Sequence, residues 1–158
     1  LNLMNTFLSS ALKEDYRLVI LGSPRSEHDQ VYMNNILKTQ KTNDKNKNVI
    51  FINGTNNTNI IDSMLQLSNV FVLPSLAEGL PLVLLEARSA GLPWVSTPCG
   101  GVPGVMSHME SGVILNDFSL SPSALEEAVR KVEDKNSRED WQDNFTKELC
   151  CQKYLELL

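Results

Sequence analysis

Two glutamates eight positions apart, Glu78 and Glu86, stand in residues 76–87, otherwise built of apolar residues, Gly and Pro. The run from Leu80 to Ala90 carries apolar residues at 80, 82, 83, 84, 85, 87 and 90. At 100° per residue they cover nearly the whole circumference of a helix, which predicts a largely buried one. Glu86 then falls on the face of Leu82, Val83 and Ala90, and Arg88 points almost the opposite way. A carboxylate there has two readings. It reaches water from the helix edge, or it is held for the hydroxyls of a ligand, because a buried carboxylate with nothing polar to meet it is costly. The surroundings favour the second reading.

The helix start is set by Pro74, Gly79 and Pro81, and Pro suits a first helical turn. Val70-Phe-Val-Leu73 reads as a buried strand running into this turn. Strand, Gly/Pro turn and helix together aim backbone N–H groups and the positive end of the helix dipole at the strand's carboxyl end, a place suited to phosphate. Pro81 has no N–H, so Leu80, Leu82 and Val83 are the amide donors, with Gly79 in the turn. Glu78 at the rim would repel a phosphate but could accept hydrogen bonds from neighbouring hydroxyls. A ligand carrying both phosphates and hydroxyls, such as a nucleotide sugar, meets both requirements.

The ordered string resembles a known family. Glu78 and Glu86 match the E-x7-E motif of the GT4 group of retaining GT-B glycosyltransferases. So do Val70-Phe-Val-Leu-Pro-Ser before it, and Ala90-Gly-Leu-Pro-Trp-Val-Ser-Thr and Gly100-Gly-Val-Pro103 after it. Looser likeness runs from Leu18-Val-Ile-Leu-Gly22 to Phe145. The resemblance implies the donor-binding C-terminal half of a GT-B fold and a UDP-, GDP- or ADP-sugar as donor. Glu78, the candidate catalytic residue, would meet the donor sugar and Glu86 the ribose. Asn53 and Gly54 would end a strand where the family holds the nucleobase; a simple turn is the other reading of that pair. Transfer would proceed by front-face substitution, the leaving diphosphate being stabilised electrostatically. Were the whole segment helical, the two glutamates would be about 12 Å apart along the axis, which does not suggest two carboxylates sharing one scissile bond. The acceptor, a glycan or a lipid-linked molecule, would be met by an N-terminal domain absent from this chain.

Departures from the family pattern bear on the details. The loop Gly22-Ser-Pro-Arg25 lacks an additional Gly before the Pro, and Gly104 stands where the family commonly has Glu. The chain opens in what resembles the family's first helix, without the preceding strand or the Arg and Lys that grip the diphosphate. The expectation is therefore a fragment, residues 1–158 of a donor-binding domain, inactive by itself. The competing readings are a non-catalytic nucleotide-binding α/β module and a nucleotide-sugar epimerase of the same fold.

Composition narrows the rest. The 158 residues carry a net charge of −5 and show no basic stripe, so nucleic acid is not an expected partner. No run of residues approaches a membrane span and no leader is visible, which reads as cytoplasmic, with peripheral association of the parent at the inner face of a membrane a further expectation. Three Cys give neither a disulfide framework nor metal spacing. With no DxD, no metal ion is expected, and Cys99 reads as a small packed side chain. His28 and His108 read as surface residues.

Alternation of apolar strands with helical patterns predicts a Rossmann-like three-layer α/β domain with a mostly parallel sheet. Strands are predicted over 17–21, 49–52, 70–73, 94–97 and 112–115, and helices over 3–12, 29–37, a short piece around 60–65, and 80–90. Gly91 reads as a helix stop. Residues 38–48, polar and rich in Lys, Asn and Thr, read as an exposed loop. A helix opens at Ser121-Pro-Ser-Ala-Leu-Glu126, either with Ser121 as cap or through a Ser123–Glu126 capping box, and buries Leu125, Ala128, Val129 and Val132. Trp141, Phe145 and Leu149 mark a last helix.

Overall fold

The computed structural model describes residues 2–44, 47–106 and 112–133. The described chain runs α1 (Asn2–Ser9), α2 (Leu12–Asp15), β1 (Leu18–Leu21), α3 (Glu27–Asn43), β2 (Val49–Ile52), α4 (Thr58–Leu67) and β3 (Phe71–Leu73). It continues with α5 (Leu82–Ser89), β4 (Trp94–Ser96), α6 (Val102–Met106), β5 (Gly112–Ile114) and α7 (Pro122–Glu133). All strand pairs are parallel: β1 with β2, and β3–β4–β5 in that order. The α/β class with parallel sheets is thus as the sequence predicts. Among the described residues two compact units divide the fold, one within Leu1–Ile61 and Ser119–Glu127, the other within Asp62–Phe118 and Ala128–Leu158.

In the first unit Leu18 to Leu21 pair in register with Val49 to Ile52. The predicted helix over 3–12 is interrupted: Ser10 caps the end of α1 by donating from Oγ to the Phe7 carbonyl, and α2 starts anew at Leu12. The Ala11 amide released by this break is met by the Glu126 carboxylate at 2.7 Å. Met4, Phe7 and Leu12 are buried, while Leu3 and Leu8 are only half-buried.

The loop predicted over 38–48 is corrected. Helix α3 continues to Asn43, with Thr39 and Thr42 bonding back to the carbonyls of Asn35 and Lys38. Lys, Gln and Thr can all be helical, so a polar run with no Gly or Pro has nothing to end a helix that Ser26 caps at its start. Asp44 follows, buried, and its carboxylate accepts from the amides of Asn48 and Val49 at 2.7 and 2.8 Å, which turns the chain into β2.

Of the two cap readings for α7, the Ser121 one is realised. Its Oγ accepts from the Ala124 amide and Pro122 takes the first helical position. Leu125, Ala128, Val129 and Val132 are all buried, as the pattern predicts.

The second unit is built round Trp94, fully buried with Leu84, Cys99, Val102 and Met106, and flanked by Phe71, Leu73, Leu85 and Ile114. Trp94 pairs with Gly112 across β4 and β5, and its indole occupies the space where any side chain at 112 would stand. Cys99 is packed in this core, as expected. Helix α5 ends as Gly91 predicts: Gly91 is left-handed (φ 70°), its amide bonds the Arg88 carbonyl, and the Leu92 amide bonds that of Ala87. These two bonds are the Schellman pair. The helix predicted around Trp141 to Leu149, His108, and Cys150 and Cys151 lie outside the described residues.

Candidate functional site

Helix α5 begins after Pro81, whose ring is buried and whose carbonyl accepts from the Leu84 amide at 3.0 Å. The amides of Leu82 and Val83 come before any intrahelical carbonyl could reach them, so they are first-turn donors. Gly79 and Leu80 lie in the exposed turn just ahead.

The helix turns out to bury one stripe only. Leu84, Ala87 and Arg88, spaced i, i+3 and i+4, face inward, and Arg88 is 2 % exposed. Leu82 is 64 % exposed and Glu86 is exposed beside it. The expectation of a largely buried helix holding a buried carboxylate is therefore corrected. The angular separation of Glu86 and Arg88 holds, but its sense is reversed: the carboxylate points outward and the guanidinium inward. An apolar run that fills the circumference leaves the buried face undetermined, and β3 and β4 select the Leu84 side.

Glu78 is exposed in the turn between β3 and α5, and its Oε1 accepts from the Ser75 hydroxyl at 2.7 Å. That turn is held from the end of β4. The Thr97 amide bonds the Leu73 carbonyl at 3.1 Å, and the buried Thr97 hydroxyl donates to the Ser75 carbonyl. The Gly101 amide bonds the Gly79 carbonyl at 2.6 Å. Gly100 is left-handed (φ 51°), and a Cβ on it would fall on the carbonyl oxygens of Glu78 and Gly79. The Gly pair thus lets one loop lie directly against another. Ser75 and Thr97 were not singled out by sequence reasoning. The signal lay in the string itself, where a hydroxyl stands three residues before Glu78 and another just past β4.

Asn53 and Gly54 belong to the first unit, exposed just past β2. The Gly54 amide is taken by the Ser23 hydroxyl at 2.8 Å, and a Cβ at Gly54 would press on that same oxygen. Ser23, which stands in the loop that departs from the family pattern, ties the ends of β1 and β2 together. His28 is exposed. Asp29, next to it, has its carboxyl held below the ordinary range, mainly by its hydrogen bond with Ser26 and then by the Arg25 amide. Gly104 is exposed with open space around it. Among the described residues no group of three or more His, Cys, Asp or Glu could hold a metal ion, and no helix is long and apolar enough to cross a membrane.

Residues 3–148 match the family model for glycosyl transferases group 1. The chain belongs to that family. A relative, the UDP-Gal:alpha-D-GlcNAc-diphosphoundecaprenol alpha-1,3-galactosyltransferase of Escherichia coli, is 34 % identical over 130 residues, 81 % of this chain and 31 % of that protein. The chain spans about three-tenths of the length of the curated relatives it matches. Among solved structures, Anabaena HepE in complex with UDP superposes with a TM-score of 0.76 at 14 % identity, over 98 % of this chain and 43 % of that one. The C-terminal domain of a group 1 glycosyl transferase, LpcC of Francisella tularensis, superposes at 0.70 and 20 % identity, over 97 % of this chain and 77 % of that one. At these identities the superpositions establish the α/β fold.

Proposed function

We propose that this chain is the donor-binding part of a retaining glycosyltransferase that moves a sugar from a nucleotide diphosphate sugar to a glycan or lipid-linked acceptor. The observation that carries this reading is the outward face of α5. Glu86 and Leu82 are exposed on it, the first-turn amides of Leu82 and Val83 stand at its start, and Glu78 is braced in the turn before. An extended ligand laid along this face would meet, in order, a carboxylate, amide donors with a helix dipole, and a second carboxylate. That sequence suits sugar hydroxyls, a diphosphate and the ribose hydroxyls. As the glycosidic bond breaks, charge gathers on the leaving diphosphate, and amides at a helix start stabilise that charge. Neither glutamate need act as a base: each accepts hydrogen bonds from hydroxyls and fixes the donor's position.

UDP is the nucleotide favoured first, since the neighbour HepE is a UDP complex, with GDP and ADP as the other two. Asn53 is offered for the base through its own backbone, the Gly54 amide being engaged by Ser23. A lipid-linked acceptor is favoured by the E. coli relative, whose name gives alpha-D-GlcNAc-diphosphoundecaprenol as its acceptor. On this reading the acceptor is met by the rest of the full protein, which would work in the cytoplasm at the inner face of a membrane and transfer without a metal ion. Undiminished transfer in EDTA is the expected outcome for that last point.

The test is a set of binding isotherms on the full protein. Glu86→Gln should weaken both UDP and UDP-glucose by about 1.5–3 kcal/mol, roughly ten- to a hundredfold, the range for hydrogen bonds to a charged group. Glu78→Ala should weaken UDP-glucose and leave UDP nearly unchanged. Because Glu86 is exposed, Glu86→Gln should leave folding stability within about 0.5 kcal/mol. Unchanged affinity for both ligands in a folded Glu86→Gln protein would remove the assignment.

A further inference from the structure

Glu78 is exposed, yet the turn that carries it is tied down at three points. Thr97, 1 % exposed at the end of β4, donates its hydroxyl to the Ser75 carbonyl and its amide to the Leu73 carbonyl. Ser75, held by that bond, donates its own hydroxyl to Glu78 Oε1. Gly101 takes the Gly79 carbonyl, and Gly100 leaves no room between itself and the Glu78 carbonyl. A glutamate at an exposed turn ordinarily samples several rotamers, and a ligand that needs one of them must bear the entropy of choosing it. Here one carboxylate oxygen already has a donor. A carboxylate can accept about four hydrogen bonds, so the opposite oxygen keeps its capacity for a ligand's hydroxyls.

We propose that Ser75 and Thr97 are positioning residues for Glu78: Thr97 sets the backbone of Ser75, and the Ser75 hydroxyl orients the carboxylate toward a hydroxyl of the donor sugar. This rests on the reading of Glu78 as the sugar contact given above. It adds the means by which the contact is prepared before the donor arrives, and it assigns discrimination between sugar-bearing and sugar-free nucleotide to two residues that touch neither. The alternative is that the Ser75–Glu78 bond merely stabilises the turn. The two differ in what they couple to. A turn stabiliser affects the fold whichever ligand is present. A positioning residue changes ligand affinity through Glu78 alone, whatever else it does for the fold.

The experiment is a double-mutant cycle in the full protein, reading Kd for UDP-, GDP- and ADP-glucose and for the corresponding free diphosphates, with melting temperature alongside. Ser75→Ala should weaken the bound nucleotide sugar roughly three- to tenfold and leave the free diphosphate unchanged. In a Glu78→Ala background the same substitution should have no further effect. Thr97→Val removes the buried hydroxyl and should reproduce the loss together with a lower melting temperature. Thr97→Ser, which keeps the hydroxyl, should restore nucleotide-sugar affinity to within about twofold of wild type. The proposal is overturned if Ser75→Ala costs the same with and without Glu78, or weakens diphosphate and nucleotide sugar equally. It is overturned too if Glu78→Ala weakens the nucleotide sugar while Ser75→Ala does not, and in that case the donor-site reading survives. A wild-type protein that binds none of the three nucleotide sugars, or a Glu78→Ala protein that binds them unchanged, removes the assignment of Glu78 and the role of the pair with it.

Discussion

Gly100→Ala should both destabilise the second unit and loosen the turn that presents Glu78. Two costs add. Gly100 has φ of 51°, a left-handed conformation that costs an L residue about 1–2 kcal/mol. The new methyl would also fall on the carbonyl oxygens of Glu78 and Gly79, which are backbone atoms and cannot swing aside as a side chain tip would. Overpacking of this kind costs about 1–3 kcal/mol, so the sum is roughly 2–5 kcal/mol. At about 2–4 °C per kcal/mol, a middle value corresponds to a fall of roughly 10 °C in melting temperature. The control is Gly104→Ala. Gly104 lies in α6 with nothing within contact of an added Cβ, so Ala there should be neutral or stabilise by up to about 1 kcal/mol through helix propensity. Thermal melts of both variants of the full protein, followed by titration with UDP-glucose and with UDP, check the reasoning. The strained turn should cost more affinity for the nucleotide sugar than for the diphosphate. A Gly100→Ala protein that melts with wild type and binds UDP-glucose as tightly would show that the 78–79 turn does not rest against residue 100.

Further outcomes concern the first unit. Asp44→Ala removes the acceptor for two amides at a buried position, those of Asn48 and Val49, and should cost roughly 2–4 kcal/mol in denaturant unfolding; Asp44→Asn, which keeps one acceptor oxygen, should cost less. Asp29 has its carboxyl held low by Ser26 and the Arg25 amide. A depressed carboxyl contributes stability above its unfolded pKa and loses it as pH falls through the folded one. Wild type should therefore exceed Asp29→Asn in stability near neutral pH, and acid titration to about pH 2 should close the gap. A gap that persists at the acid end would place the effect of Asp29 elsewhere than in its charge.

Much of this fold was legible because its signals are local. Val49–Ile52 is a short apolar run bounded by polar residues, and Gly91 is a glycine at the end of an apolar helix, and each marks its own boundary. What failed also has local causes. Residues 38–43 carry neither an apolar stripe nor a breaker, so composition reads them as loop, while the cap at Ser26 and the turn at Asp44 make them helix. The break at Ser10 cannot be seen in the periodicity of Leu3, Phe7, Leu8 and Leu12, because the Ala11 amide it frees is met by Glu126, 115 positions beyond Ala11.

The site shows the same division more sharply. The place of Glu78 and Glu86 about a strand–turn–helix junction could be read directly from the apolar run, the Gly and Pro residues and the spacing; that the two meet a donor is the proposal above. The facing of α5 could not, since apolar residues on every side of a helix say only that several faces tolerate burial. The sheet decides, and it takes Leu84, Ala87 and Arg88. This reversal changes the energetics of Glu86. A carboxylate buried in the core would need a compensating partner in the folded protein and would be expected to destabilise it. An exposed one carries no such penalty, so on the proposed reading Glu86 meets a ligand at little expense to stability. The cost of preparing the site then falls on the turn rather than on the helix. There Thr97, Gly100 and Gly101, residues some twenty positions later in the chain, fix the turn that carries Glu78, and the spacing of the two glutamates by itself does not point to them.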